Sequence, residues 1–173
     1  MRFIESSLSS NKGACVFDEM GLGKTIQVLG YLMFHPEMFP VIFVLKSGLK
    51  YQFQHEILRW LGNMYYAQVI SSSNDYVIPQ LKCYIISYGM LVPITKRTKT
   101  GKTITQGFDI SKLDHCKTVV LDECQQISNP EATRTQMVRR LVKDKQVIGT
   151  SGSPWKNRGS ELYSILNMCN PLK

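Results

Sequence analysis

The sequence predicts an α/β fold: one domain, residues 1–173, built on a mostly parallel central sheet flanked by helices. Two observations carry that expectation. Short apolar runs of strand length alternate with segments of helical periodicity. Several of those runs are continuously apolar rather than alternating, which is the pattern of parallel strands covered on both faces.

The elements follow in order. A strand is predicted over 14–17, Ala-Cys-Val-Phe, and a helix over 24–34, where Ile26, Leu29, Gly30 and Met33 share one face. A strand over 40–45 precedes a helix over 48–61, whose stripe is Leu49, Phe53, Ile57, Trp60 and Leu61. Strands over 67–70, 82–87 and 118–121 come next. A helix over 130–141 is predicted from Asn129 as N-cap and Pro130 as first helical residue. A strand over 146–149 and a helix over 159–168 complete the series. Right-handed crossovers would place the helices on both faces of the sheet. The segment 95–105 breaks the alternation. It is threonine-rich, holds four cations around Gly101, and reads as an exposed loop or two-stranded ribbon. Its cations suit nucleic-acid phosphates, and a solvated loop without a partner fits the same residues.

Composition narrows the functional classes. The chain has 173 residues, with 43% hydrophobic and 20% charged, ordinary values for a globular protein with a well-buried core. Lys and Arg number 21 against 13 Asp and Glu, a net charge of +8, which suits a polyanionic partner or a generally basic surface. The five cysteines form no C-x-x-C pair, and His35, His55 and His115 are not at ligand spacing from them. Buried free thiols are expected rather than zinc, in a reducing, intracellular setting. No run is apolar and long enough to span a bilayer, so no membrane association is expected.

Two motifs carry chemistry. The first is Asp18-Glu19-Met20-Gly21-Leu22-Gly23-Lys24-Thr25, between the first strand and the first helix. Strand, glycine-rich turn, Gly-Lys-Thr and helix is the layout of a phosphate-binding loop. Gly21 and Gly23 permit a tight turn that brings N–H groups to an anion, and the helix points its positive end at the same place. Residues Glu19, Met20, Gly21, Leu22, Gly23, Lys24 and Thr25 are therefore expected to cradle the phosphates of a nucleotide, with Lys24 on the β- and γ-phosphates and the Thr25 hydroxyl on Mg²⁺. The second motif is Asp122-Glu123 at the end of the strand over 118–121. There Asp122 is expected to hold Mg²⁺ and Glu123 to polarise the attacking water. Thr150-Ser151-Gly152-Ser153-Pro154 also follows a strand, and alone it is only a turn.

Taken together, these motifs resemble those of the Swi/Snf-type helicase-like ATPases of superfamily two, in order from about Ala14 to Pro171. The first motif continues into Ile26-Gln27. Asp122-Glu123-Cys124-Gln125 with Ile127-Ser128-Asn129 resembles the second, and 150–154 the third. The match goes on through Asn157, Glu161-Leu162-Tyr163, Leu166-Asn167 and Pro171. The resemblance implies a P-loop, RecA-like first lobe that binds Mg-ATP and acts on double-stranded DNA. It implies that Gln125, Thr150 and Ser151 couple hydrolysis to lobe movement, and that Lys46, Ser47 and Tyr88 face the DNA backbone. Cys124-Gln125 stand where the family usually has Ala-His, Ser153 where it has threonine, and Leu45 where proline is common. The adenine-recognition motif would need more than residues 1–11, and the second lobe is expected to be absent from this chain, to be supplied in cis or in trans. Two rivals remain: a compact nucleoside-kinase-like enzyme, for which only Arg134, Arg139 and Arg140 cluster, and a remnant lobe that binds DNA or a partner without turnover.

Overall fold

The computed structural model describes residues 13–97, 103–153 and 159–169. Among them, six strands form one sheet: β1 (Gly13–Val16), β2 (Val41–Leu45), β3 (Ala67–Val69), β4 (Cys83–Ser87), β7 (Thr118–Leu121) and β8 (Gln146–Thr150). The order across it is β1-β8-β7-β2-β4-β3, and every pairing is parallel. Strands β5 (Ile94–Arg97) and β6 (Thr103–Gln106) pair antiparallel as a separate ribbon. The ribbon alternative for the basic segment is thus the one observed; its centre, 98–102, lies outside the described residues.

Strand β2 explains the layering. All five of its residues are buried, because they pack on alternate sides. Val41, Phe43 and Leu45 join one core with helices α1 (Lys24–Phe34) and α2 (Lys50–Leu61). Ile42 and Val44 join the other core, with the single-turn helix α3 (Tyr88–Leu91), α4 (Thr133–Leu141) and α5 (Gly159–Cys169). Strand β4 repeats the pattern, Cys83 and Ile85 to one side, Tyr84 and Ile86 to the other. At roughly 1.5–3 kcal/mol for each large apolar side chain taken fully out of water, these two faces dominate the stabilisation. Burial pushes the thiols of Cys83 and Cys116 up to about 12, so both behave as small apolar core residues.

The helix predicted from Asn129 and Pro130 begins later, at Thr133. The Asn129 side chain instead accepts from the Glu131 amide at 3.0 Å, closing a local turn that competes with a helical cap. Helix α3 escaped prediction because one turn is too short to show periodicity; its start is marked by Ser87, whose hydroxyl accepts from the Met90 amide. Among the described residues no helix is long and apolar enough to cross a membrane. Because β1, β2, β4, β7 and β8 are parallel, their carboxyl ends share one edge of the sheet, the edge at which α/β proteins place their ligands.

Candidate functional site

Strand β1 ends at Val16, and the chain then turns through the glycine-rich loop into α1. Gly21 and Gly23 lie in the left-handed region, at φ 85° and 74°, and Gly23 is also the residue that caps α1. An added Cβ at Gly21 meets nothing within 4 Å, so the glycine is required by backbone angle rather than by space. The first turn of α1 holds no acidic residue and no side-chain cap, leaving its N–H groups and dipole available to an anion. Lys24 Nζ curls back onto the Asp18 and Glu19 carbonyls, 2.8 Å from each, so the ammonium is held at the mouth of the loop. Gln27 closes the loop from below, donating to Asp18 Oδ2 at 2.8 Å and to the Leu22 carbonyl at 3.2 Å. Sequence reasoning gave Gln27 no role; its signal is an amide side chain one turn into the helix, directly under the loop.

The carboxylate turn lies two strands away. The Asp122 amide makes the last ladder bond of β7, donating to the Val44 carbonyl at 2.9 Å. Asp122 Oδ1 accepts from the Thr150 hydroxyl at 2.8 Å. Glu123 follows with φ 51°, a left-handed conformation that costs a non-glycine residue free energy. Its Oε2 accepts from Gln125 Nε2 at 2.5 Å, and Gln125 Oε1 accepts from the Ser151 hydroxyl at 2.7 Å. Ser151 Oγ also accepts from the Ser153 amide at 3.0 Å. Two parallel links therefore run from the carboxylates to the loop after β8, through Thr150 and through Gln125 and Ser151. Burial raises the Asp122 pKa, and the Thr150 hydrogen bond and nearby Lys24 oppose that rise.

These elements enclose an open cleft of about 390 Å³, lined by the glycine-rich loop, Lys24, Thr25, Asp122 and Glu123, with Gln52 and Glu56 of α2 on its far wall. The loop after β8 presses on the same place: a Cβ added at Gly152 would lie 2.9 Å from Met20 Cγ and 3.4 Å from Lys24 Nζ. The residues present fit a magnesium nucleotide. The loop offers unoccupied amides and a lysine, and Asp122 is a half-buried carboxylate whose charged form lacks compensation from any ion pair among the described residues. Lys46 and Ser47 are exposed at the carboxyl end of β2, on the same edge. Tyr88 corrects expectation. It is only 3% exposed, and its hydroxyl donates to the Asp122 carbonyl at 2.8 Å, so it faces the carboxylate turn rather than a DNA backbone. Of the third motif, Thr150 and Ser151 are buried, while Pro154 lies outside the described residues, as does Asn157 in the run after it.

The sequence pattern of the SNF2-related domain matches residues 2–173. The chain belongs to the SNF2-related domain family. It is 29% identical over 171 residues to the human protein named DNA annealing helicase and endonuclease ZRANB3, covering 96% of this chain and 15% of that protein. It is 27% identical over 171 residues to the putative ATP-dependent helicase/translocase YwqA of Bacillus subtilis, covering 93% of this chain and 17% of that protein. The fold matches the Sulfolobus solfataricus SWI2/SNF2 ATPase core, solved in complex with dsDNA, with a TM-score of 0.73 at 21% identity, over 98% of this chain and 34% of that one. The chain thus spans about a sixth of the length of these curated SNF2-family relatives.

Proposed function

We propose that this chain is the ATP-binding lobe of a SWI/SNF-type DNA-dependent ATPase, which couples Mg-ATP hydrolysis to movement on duplex DNA when joined to a second RecA-like lobe. The observation that carries the proposal is the convergence of Lys24, Thr25, Asp122 and Glu123 on one open cleft at the carboxyl edge of the sheet. The family membership and the duplex-DNA complex of the Sulfolobus structure support the same reading.

In this reading the loop amides and the start of α1 bind the phosphates, and Lys24 leaves its two carbonyl partners for the β- and γ-oxygens. Thr25 and Asp122 hold Mg²⁺, which when bound neutralises charge on those oxygens. Glu123 orients the attacking water and takes its proton. Gln125 ties Glu123 to Ser151, so a shift of the loop after β8 moves the carboxylate that governs water attack. Lys46 and Ser47 contact the phosphate backbone of duplex DNA from just beyond the carboxyl end of β2. The protein works inside the cell, where nucleotide and DNA are found.

A phosphate-release assay tests the whole scheme. The 173-residue chain alone should turn over very slowly, because an arginine supplied across a cleft contributes roughly 10³- to 10⁵-fold in such reactions. With a second lobe in cis or in trans, DNA-stimulated hydrolysis should appear, and Glu123→Gln should abolish it with ATP still bound. Brisk, DNA-stimulated turnover by the chain alone would refute the account.

A further inference from the structure

Tyr88 is a buried polar residue that the scheme above does not use. It is the first residue after β4, and β2 lies between β4 and β7 in the sheet. Its ring therefore crosses the end of β2, packing in the core that also holds Val44 and Leu121, to place its hydroxyl 2.8 Å from the Asp122 carbonyl. That carbonyl belongs to the peptide joining Asp122 to Glu123. Its neighbour on the same residue, the Asp122 amide, is fixed by the Val44 carbonyl at 2.9 Å. Both ends of Asp122 are thus pinned immediately before Glu123 enters its left-handed conformation at φ 51°. A strained conformation persists only where its surroundings over-determine it. Here the backbone restraints are the ladder bond and the tyrosine hydroxyl on Asp122 and the Gln126 amide, which donates to the Glu123 carbonyl at 3.0 Å; the side chains are held by Thr150 and Gln125.

We propose that Tyr88 is a positioning residue for hydrolysis: its hydroxyl, by anchoring the Asp122 carbonyl, holds the strained turn that presents the Glu123 carboxylate to the cleft. The inference rests on the ATP-hydrolysis reading and concerns rate rather than affinity, since the phosphate loop makes none of these contacts. It also assigns a role to the segment from Tyr88 to the β5–β6 ribbon. A displacement of α3 reaches Glu123 through one hydrogen bond.

Tyr88→Phe keeps the ring in the core and removes only the hydroxyl. Single-turnover hydrolysis of Mg-ATP and equilibrium ATP affinity are measured on the full-length gene product, beside Lys24→Ala and Ile165→Val. Ile165 is fully buried in the same core, far along the chain from the turn, and its loss of one methyl serves as a matched structural lesion. Tyr88→Phe should slow hydrolysis about ten-fold or more while the Kd for ATP stays within about two-fold, the mark of a lost transition-state contact. Ile165→Val should lower the thermal midpoint to a similar degree and keep the wild-type rate. An unchanged rate in Tyr88→Phe, or an equal loss in Ile165→Val, overturns the proposal. Lys24→Ala reports separately: if its ATP affinity equals that of the wild type, the nucleotide reading itself fails.

Discussion

The Thr150 hydroxyl donates a 2.8 Å hydrogen bond to Asp122 Oδ1, joining the ends of two adjacent parallel strands. The bond satisfies one oxygen of a carboxylate that burial otherwise drives toward protonation. On the proposed reading, in which Asp122 holds a divalent cation, the site would carry a destabilised anion when the cation is away.

That cost is measurable. The folded pKa of Asp122 is raised, chiefly by burial. In the pH window between the ordinary carboxylate value of about 3.9 and the raised folded value, the native state binds the extra proton, so stability falls as pH rises through that window. Above it the full penalty is present. Asp122→Asn, neutral throughout, should raise the Tm of the nucleotide-free chain at neutral pH and lose that advantage as the pH drops to about 4. Thermal melts at two pH values check this; an Asn variant no more stable than wild type at pH 7 contradicts it.

Lys24→Ala should weaken ATP binding. A charge-assisted contact of this kind contributes roughly 1.5–3 kcal/mol, or about ten- to a hundred-fold in affinity. Isothermal titration with Mg-ATP reads the ratio directly, and equal affinities would remove the phosphate-loop assignment.

Gln125 and Ser151 should act as a unit. Gln125→Ala cuts the amide that links Glu123 to Ser151, so hydrolysis should fall with ATP affinity little changed. Adding Ser151→Ala should cost little more, whereas independent sites would show additive losses. A double-mutant cycle on kcat distinguishes the two.

Gly149 marks where three sulfurs meet. A Cβ there would lie 2.9 Å from Cys169 Sγ, 3.5 Å from Cys124 Sγ and 3.6 Å from Cys15 Sγ. Gly149→Ala should destabilise the chain by roughly 1–3 kcal/mol through overpacking. Cys169→Ala in the same background should return part of that loss, which urea denaturation would show; no return would place the strain elsewhere.

Duplex-DNA binding should depend steeply on salt, each neutralised phosphate contributing about −0.9 to the log–log slope. Lys46→Ala should flatten that slope by about one unit irrespective of DNA sequence. An unchanged slope in fluorescence anisotropy would take Lys46 off the interface.

The sheet was legible because its strands are short and mostly continuously apolar; predicted and observed bounds of its strands differ by no more than one residue. The glycine-rich turn into α1 was legible because its signal is local: the glycines, lysine and threonine lie within a few residues of each other. What escaped depends on contacts between distant segments. Nothing near Tyr88 in sequence shows that its hydroxyl meets the Asp122 carbonyl, and a tyrosine at a strand end reads as surface until the packing of β2 is known. Asn129 was misread for the opposite reason: its side chain had a local partner, the Glu131 amide, that outcompeted helical capping.

The register of β1 has a consequence for synthesis. Gly13 pairs with Val147 and Val16 with Thr150, so the strand that leads into the glycine-rich loop is held in the sheet by a strand far along the chain. Closing so long a loop comes late, after local pairs such as α1 with α2 have formed. A ribosome that has released only the first hundred residues has already exposed the Gly-Lys-Thr loop, but that loop lacks its neighbouring strand β8 and the carboxylates Asp122 and Glu123. On the proposed reading, affinity for nucleotide would arise only when β8 docks, so ATP binding would report that β1 has found its place in the sheet.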